Sequence, residues 1–198
     1  MGASDKKPRR QSIRLRGYDY TRCGAYFVTI CVDQRRPLFG HIANGEMQPS
    51  TLGRIVADAW LATPIHFPNV ELDEFMVMPN HIHGIIILTV GAQHAAPSRP
   101  PSSPFAVRPG SLGAIVRSFK SAVTKQTNEL RLTSGTLWQR NYYDHLIRDD
   151  GGLERIREYI STNPLRWELD RENPDRRGAD EFDRWLATVG KAQTSPRS

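Results

Sequence analysis

No run of 18 apolar residues occurs in the 198-residue chain, so a membrane-spanning helix is excluded. The opening "MGASDKKPRRQSIRLRGYDY" has none of the apolar stretch a secretory signal needs. Position 6 is Lys6, so the initial Met-Gly pair does not extend into a myristoylation motif. Cysteine is scarce. Cys23 and Cys31 stand eight residues apart, a spacing that matches neither a zinc site nor a redox pair. They are read as reduced thiols of a cytoplasmic protein, close to one strand. No segment repeats. The hydrophobic fraction of 38% suffices for a single core, so one domain of ordinary size with added arms is expected.

Positive charge is what the chain has in excess, and it is unevenly spread. The net charge is +6. Residues 1–22 hold seven cations, among them Arg9, Arg10, Arg14 and Arg16, against Asp5 and Asp19, a net of +5. Such an arm reads either as a polyanion contact or as a solvated leader. The expected organisation is a basic arm (1–22), a folded domain (23–167) and a polar tail (168–198) balanced in sign.

The elements follow from pattern. "AYFVTICV" (25–32) is rich in β-formers and bounded by Gly24 and Asp33, which predicts a strand. Asn44-Gly45 signals a hairpin turn. Ser50 caps a helix with Leu52, Ile55, Val56, Ala59 and Trp60 at helical spacing, stopped by Pro64. Strands are expected over 70–78 and from His81 onward. Residues 91–110, rich in Pro, Ser and Ala, read as a loop. Ser111 caps a helix buried along Leu112, Ile115, Val116, Phe119 and Val123. Residues 136–149 read as strand or extended chain. Asp149 or Asp150 caps a last helix with Leu153, Ile156 and Ile160 as its spine. This order is that of an α+β, ferredoxin-like split βαβ fold. The expectation is an antiparallel sheet with helices on one face and an appended C-terminal helix.

Two histidines stand at the mouth of the third main strand, in "VMPNHIHGIIIL". Residues i and i+2 of a strand share a face, so His81 and His83 project together. Ile85 and Ile87 continue that face, while Ile82, Ile86 and Leu88 cover the other. Buried imidazoles need partners, and a shared divalent metal would satisfy both. Two otherwise satisfied histidines at a strand end remain the alternative. On the last helix Tyr159 and Asn163 are one turn apart. Pro164 disfavours helical geometry at Asn163. By themselves they read equally as a half-buried core tyrosine and a cap before proline.

Three motifs in this order, "MPNHIHGIIIL", "LWQRNYYDHLIRD" and "YISTNP", resemble the single-tyrosine HUH transposases, in particular the REP-associated tyrosine transposases. The likeness runs from about Gly24 to Trp167. It implies that the tyrosine sits on the appended helix. It implies a divalent cation, Mg²⁺ or Mn²⁺, held by His81, His83 and Asn163, with Tyr159 as catalytic nucleophile. It implies cleavage and rejoining of hairpin-bearing single-stranded DNA through a 5′-phosphotyrosine link, by a monomer or a homodimer. His145 recurs in the family's middle segment, where it would orient a ligand, contact phosphate or serve structure. Tyr142, Tyr143 and Trp138 read as packing or base-stacking groups. Arg117, Lys120, Arg140 and Arg148 are candidate backbone contacts, beside the arm.

Three other readings stand beside this one. An HUH replication initiator or nickase usually has a longer chain. A non-catalytic ferredoxin-like module would read RNA on sheet aromatics such as Tyr26, Phe27 and Phe75. A metal hydrolase built as a barrel would need roughly 250 residues.

Overall fold

The computed structural model describes residues 23–89, 110–130, 132 and 135–192. The basic arm, with Arg9, Arg10, Arg14 and Arg16, lies outside the described residues, as does the 91–110 segment up to residue 109.

Strand β1 is Gly24–Cys31. A hairpin follows, β2 (Gly40–Ala43) and β3 (Glu46–Pro49), turning at Asn44 and Gly45. Both turn residues have positive φ, 53° and 76°, as a tight two-residue hairpin requires. Helix α1 (Thr51–Leu61) starts where Ser50 Oγ accepts from Gly53 N at 3.0 Å. It ends at Leu61, and Pro64 sits in a one-turn helix, α2 (Thr63–His66), instead of acting as the stop. Strands β4 (Val70–Met78) and β5 (His81–Leu88) are joined by Pro79-Asn80. Then come α3 (Leu112–Glu129), β6 (Tyr143–Ile147), α4 (Asp150–Thr162), a 3₁₀ stretch (Asn163–Leu169) and α5 (Glu181–Ala192). Ser111 caps α3 and Asp149 caps α4.

The main sheet has the order β4-β5-β1-β6, and each neighbouring pair is antiparallel. That is the split βαβ arrangement, and the protein is α+β. Strand alternation divides the core in two. Tyr26, Val28 and Ile30 of β1, with Ile82, Ile86 and Leu88 of β5, pack under α1 and α3. Phe27 and Ile85 point the other way, toward α4 and α5. The imidazoles share the parity of Ile85, so they lie on the α4 side. Arg157 grips Asp73 with two nitrogens, at 2.9 and 2.6 Å, and so anchors α4 to the outer strand.

The stretch expected as a polar tail folds, and α4 is not the last helix. Phe182 and Leu186 of α5 are buried against Phe27, Ile85, Tyr159 and Ile160. Phe182, Trp185, Leu186 and Val189 recur at helical spacing, an apolar stripe that the balanced charge of the tail conceals. Asp180 ties the start of α5 down by accepting from Phe182 N at 2.7 Å and from Arg166. Helices therefore cover both faces. Tyr26 and Phe27 are 0% and 1% exposed, which leaves these two rings no open face for stacking bases.

Gly84 shows how close the packing is. A Cβ there would lie 2.4 Å from Cζ2 of Trp60, deep in the α1 side of the core. Gly84→Ala is expected to cost about 1–3 kcal/mol by overpacking. Urea unfolding measures it, and a wild-type midpoint would show that Trp60 yields freely.

Candidate active site

The turn before β5 prepares the first imidazole. Asn80 uses its amide nitrogen on two carbonyls, Arg35 O at 3.1 Å and Glu172 O at 2.8 Å. Its oxygen is left to accept from His81 Nδ1 at 2.8 Å. The proton of the neutral ring is thereby placed on Nδ1, and Nε2 keeps its lone pair. That Nε2 is buried and has no hydrogen-bond partner among the described residues. His83 is held from its other side by Thr29 Oγ1, 2.9 Å from Nδ1. The two ring centroids are 4.3 Å apart. Burial, and then the neighbouring His83, push His81 down to about 3, so it is neutral.

Helix α4 brings up the second pair. Tyr159 and Asn163 do share a face, one turn apart. The Tyr159 hydroxyl donates to Asp170 Oδ2 at 3.1 Å and lies 3.3 Å from His83 Nε2. Asn163 Nδ2 donates to the same Asp170 oxygen at 2.9 Å. Asn163 Oδ1, like His81 Nε2, is buried without a hydrogen-bond partner among the described residues.

Asp170 is the residue the sequence reading missed. It follows the 3₁₀ stretch, and its other oxygen accepts from Glu172 N at 2.6 Å. Its Oδ2 lies 3.5 Å from His83 Nε2 and 3.8 Å from His81 Nε2. Ligand atoms of His81, His83 and Asp170 all fall within 4.8 Å of one another. Burial opposes its charge, but the two imidazoles and the Asn163 amide outweigh that and hold the carboxyl well below its ordinary range. Tyr159 is driven the other way, well above the ordinary phenol value, by burial and by the Asp170 charge. No motif spacing marks Asp170. It stands eleven residues after Tyr159 in a run that reads as solvent-facing, "WELDREN".

The donors fit a divalent cation. Two imidazole nitrogens and one carboxylate converge, the Asn163 amide touches the same carboxylate, and His81 Nε2 and Asn163 Oδ1 are buried acceptors with no hydrogen-bond partner among the described residues. The cluster is closed over: Phe182 lies flat on the Tyr159 ring at 3.7 Å, with 8° between planes. None of His81, His83, Tyr159, Asn163 and Asp170 is more than 3% exposed.

No family model matches the chain. An uncharacterized protein of Haemophilus influenzae is 44% identical over 168 residues, which are 81% of this chain and 91% of that protein. The solved structure of a REP-associated tyrosine transposase bound to a REP hairpin covers 93% of this chain and 92% of its own, at TM-score 0.54 and 19% identity, a likeness of fold. A second Haemophilus influenzae protein, assigned by name to the REP-associated tyrosine transposases, is 25% identical over 153 residues, 75% of this chain and 74% of its own. The chain is therefore similar to the REP-associated tyrosine transposases in fold, and distantly in sequence.

The remaining candidate residues among those described sit on α3, on β6 and in the segments beside β6. His145 is buried on β6, 6.4 Å from the Trp185 ring. Lys120 spends its ammonium on Gln139 O (2.8 Å) and Asn141 O (3.1 Å), pinning the segment before β6. Trp138 is core, donating to Lys120 O. Arg117, Arg140 and Arg148 are exposed.

The protein's pH response follows from its buried imidazoles. Burial lowers His145 to about 4 and His81 to about 3. An unfolded chain takes up these protons near 6.5, before the folded one does. Stability is therefore full above that pH and is lost as pH falls toward 4. The melting temperature is expected to begin dropping near pH 6.5, before the ordinary carboxylates titrate. His145→Gln should reduce the drop. A flat profile would contradict the buried neutral state.

Proposed function

We propose that this protein cleaves and rejoins hairpin-bearing single-stranded DNA through a 5′-phosphotyrosine intermediate. The observation that carries this reading is the meeting of His81, His83 and Asp170 with the Tyr159 hydroxyl, beside two buried acceptors, His81 Nε2 and Asn163 Oδ1, that have no hydrogen-bond partner among the described residues. His81, His83, Asp170 and Asn163 would hold Mg²⁺ or Mn²⁺. When bound, the cation supplies positive charge against a phosphate oxygen and the developing phenolate.

The chain's own residues do the rest. Asn80 and Thr29 fix the two imidazole rings. Tyr159 Oη attacks phosphorus and gives up its proton to water, while Asp170 Oδ2, the acceptor it already faces, orients the hydroxyl. The Oη–P bond forms as the bond to the 3′ oxygen breaks, and the 3′ oxygen takes up a proton. The ester conserves the bond, so a 3′-hydroxyl reverses the step and joins strands. Tyr159 is buried under Phe182, so a strand reaches it only once the segment carrying Phe182 has shifted.

A hairpin is the expected target because the fold relative of known structure is bound to a REP hairpin. The test is incubation with hairpin single strands taken from the gene's flanks, in Mg²⁺ or Mn²⁺, followed by a denaturing gel. A protein–DNA adduct is expected. If no such hairpin yields an adduct with either ion, strand cleavage by this protein is ruled out. A monomer and a homodimer give the same adduct.

A further inference from the structure

We propose that an open cleft beside the cluster seats the nucleotides of single-stranded DNA that flank the cut phosphate. The ligand class rests on the strand-cleavage reading, and the seat itself on the following geometry. The cleft holds about 720 Å³ and is walled by the end of β1, the segment 139–143 and the segment 171–176. That volume suits a small ligand, or a nucleotide or two of a longer one.

Position, charge and surface all fit a nucleic-acid strand. Thr29 lines the cleft, and its hydroxyl is the one that holds His83 Nδ1, so the cleft adjoins the cluster. Four arginines line it: Arg35, Arg140, Arg171 and Arg176. The carboxylate among its lining residues, Glu172, is already taken by Arg35 at 2.9 Å and Arg171 at 3.1 Å. Positive charge is left over, which attracts phosphates. The Arg171 guanidinium lies 4.5 Å over the Tyr143 ring, and both line the cleft. Bases stack on such aromatic and guanidinium planes. Of the residues read as packing or base-stacking groups, Tyr142 and Tyr143 line this cleft, whereas Trp138 is buried in the core.

Arg140 and Arg176 are exposed, and Arg176 also lies 3.9 Å from Asp183 of α5, so the folding of the charge-reversed variant is measured beside its binding. The probe is a labelled single strand of eight nucleotides without a hairpin, titrated by fluorescence anisotropy against the full chain at several salt concentrations. For Arg140→Glu with Arg176→Glu, affinity at low salt is expected to fall at least about tenfold. The slope of log affinity against log salt should flatten by about 1.4, two contacts at 0.7 each. Arg54→Glu, on the solvent side of α1, should bind as wild type. Melting curves check that each variant folds, and adduct formation on hairpin DNA runs in parallel. Wild-type affinity and slope in the double variant would overturn the cleft while leaving Tyr159 chemistry standing. An equal loss in Arg54→Glu would overturn it as well, since any surface charge would then do. A cleft that binds as described in a protein that makes no adduct would overturn strand cleavage instead.

Discussion

Tyr159→Phe is expected to abolish the DNA adduct and lower strand cleavage by roughly 10³-fold or more, with the fold kept. The substitution removes one oxygen. That oxygen loses its contacts to Asp170 at 3.1 Å and His83 at 3.3 Å. The ring remains, with its stack on Phe182 and its edge against Phe27, 6.2 Å away. Asp170 Oδ2 stays hydrogen-bonded through Asn163, so the stability cost is that of one hydrogen bond, about 0.5–1.5 kcal/mol. Tyr142→Phe and Tyr143→Phe are the controls and should still form the adduct. An adduct that persists in Tyr159→Phe, or vanishes only in one of the controls, would assign the nucleophile elsewhere.

Asp170→Ala is expected to weaken Mn²⁺ binding by at least about 10- to 100-fold, read by calorimetry on the full chain without DNA. The same change strips an acceptor from Asn163 Nδ2, Glu172 N and the Tyr159 hydroxyl, all buried. Each unmade bond costs about 1–3 kcal/mol, so Asp170→Ala should also melt at lower temperature. Asp170→Asn separates the two effects. It keeps the shape and one acceptor oxygen, so it should melt closer to wild type, yet it lacks the charge that favours a cation. Mn²⁺ binding at wild-type strength in both variants would remove Asp170 from the ligand set. If the wild-type protein binds no Mn²⁺ at all, the buried lone pairs of His81 and Asn163 serve structure.

Much of the frame was legible because it rests on local rules. The alternation of "HIHGIIIL" placed both imidazoles and Ile85 on one side of β5 and Ile82, Ile86 and Leu88 on the other. Ser50, Ser111 and Asp149 cap the helices they were expected to cap, each by a side-chain oxygen three residues before the N–H it accepts from. The stripe Leu112, Ile115, Val116, Phe119 and Val123 is buried as written. The spacing of Tyr159 and Asn163 placed both on one face of α4. What failed was the reading of 168–198. Charge balance was taken for solvation, and the fourfold stripe of Phe182, Trp185, Leu186 and Val189 went unweighed.

The sequence by itself determined which residues could share a face, where helices begin, and which ordered motifs this chain has in common with the tyrosine transposases. Those properties depend on periods of two and 3.6 residues and on hydrogen bonds three or four positions long. The meeting of the two histidines with Tyr159 and Asn163 was decided by the tertiary structure, which lays α4 across the α5 side of the sheet and ties it there through Arg157 and Asp73. So was the part played by Asp170. Its carboxylate has meaning only against partners 7, 11, 87 and 89 residues away along the chain. No local period encodes such separations. They are set by how two layers of helices close over opposite faces of one sheet, and that closure is also what strips water from the carboxylate and makes its few remaining contacts decisive.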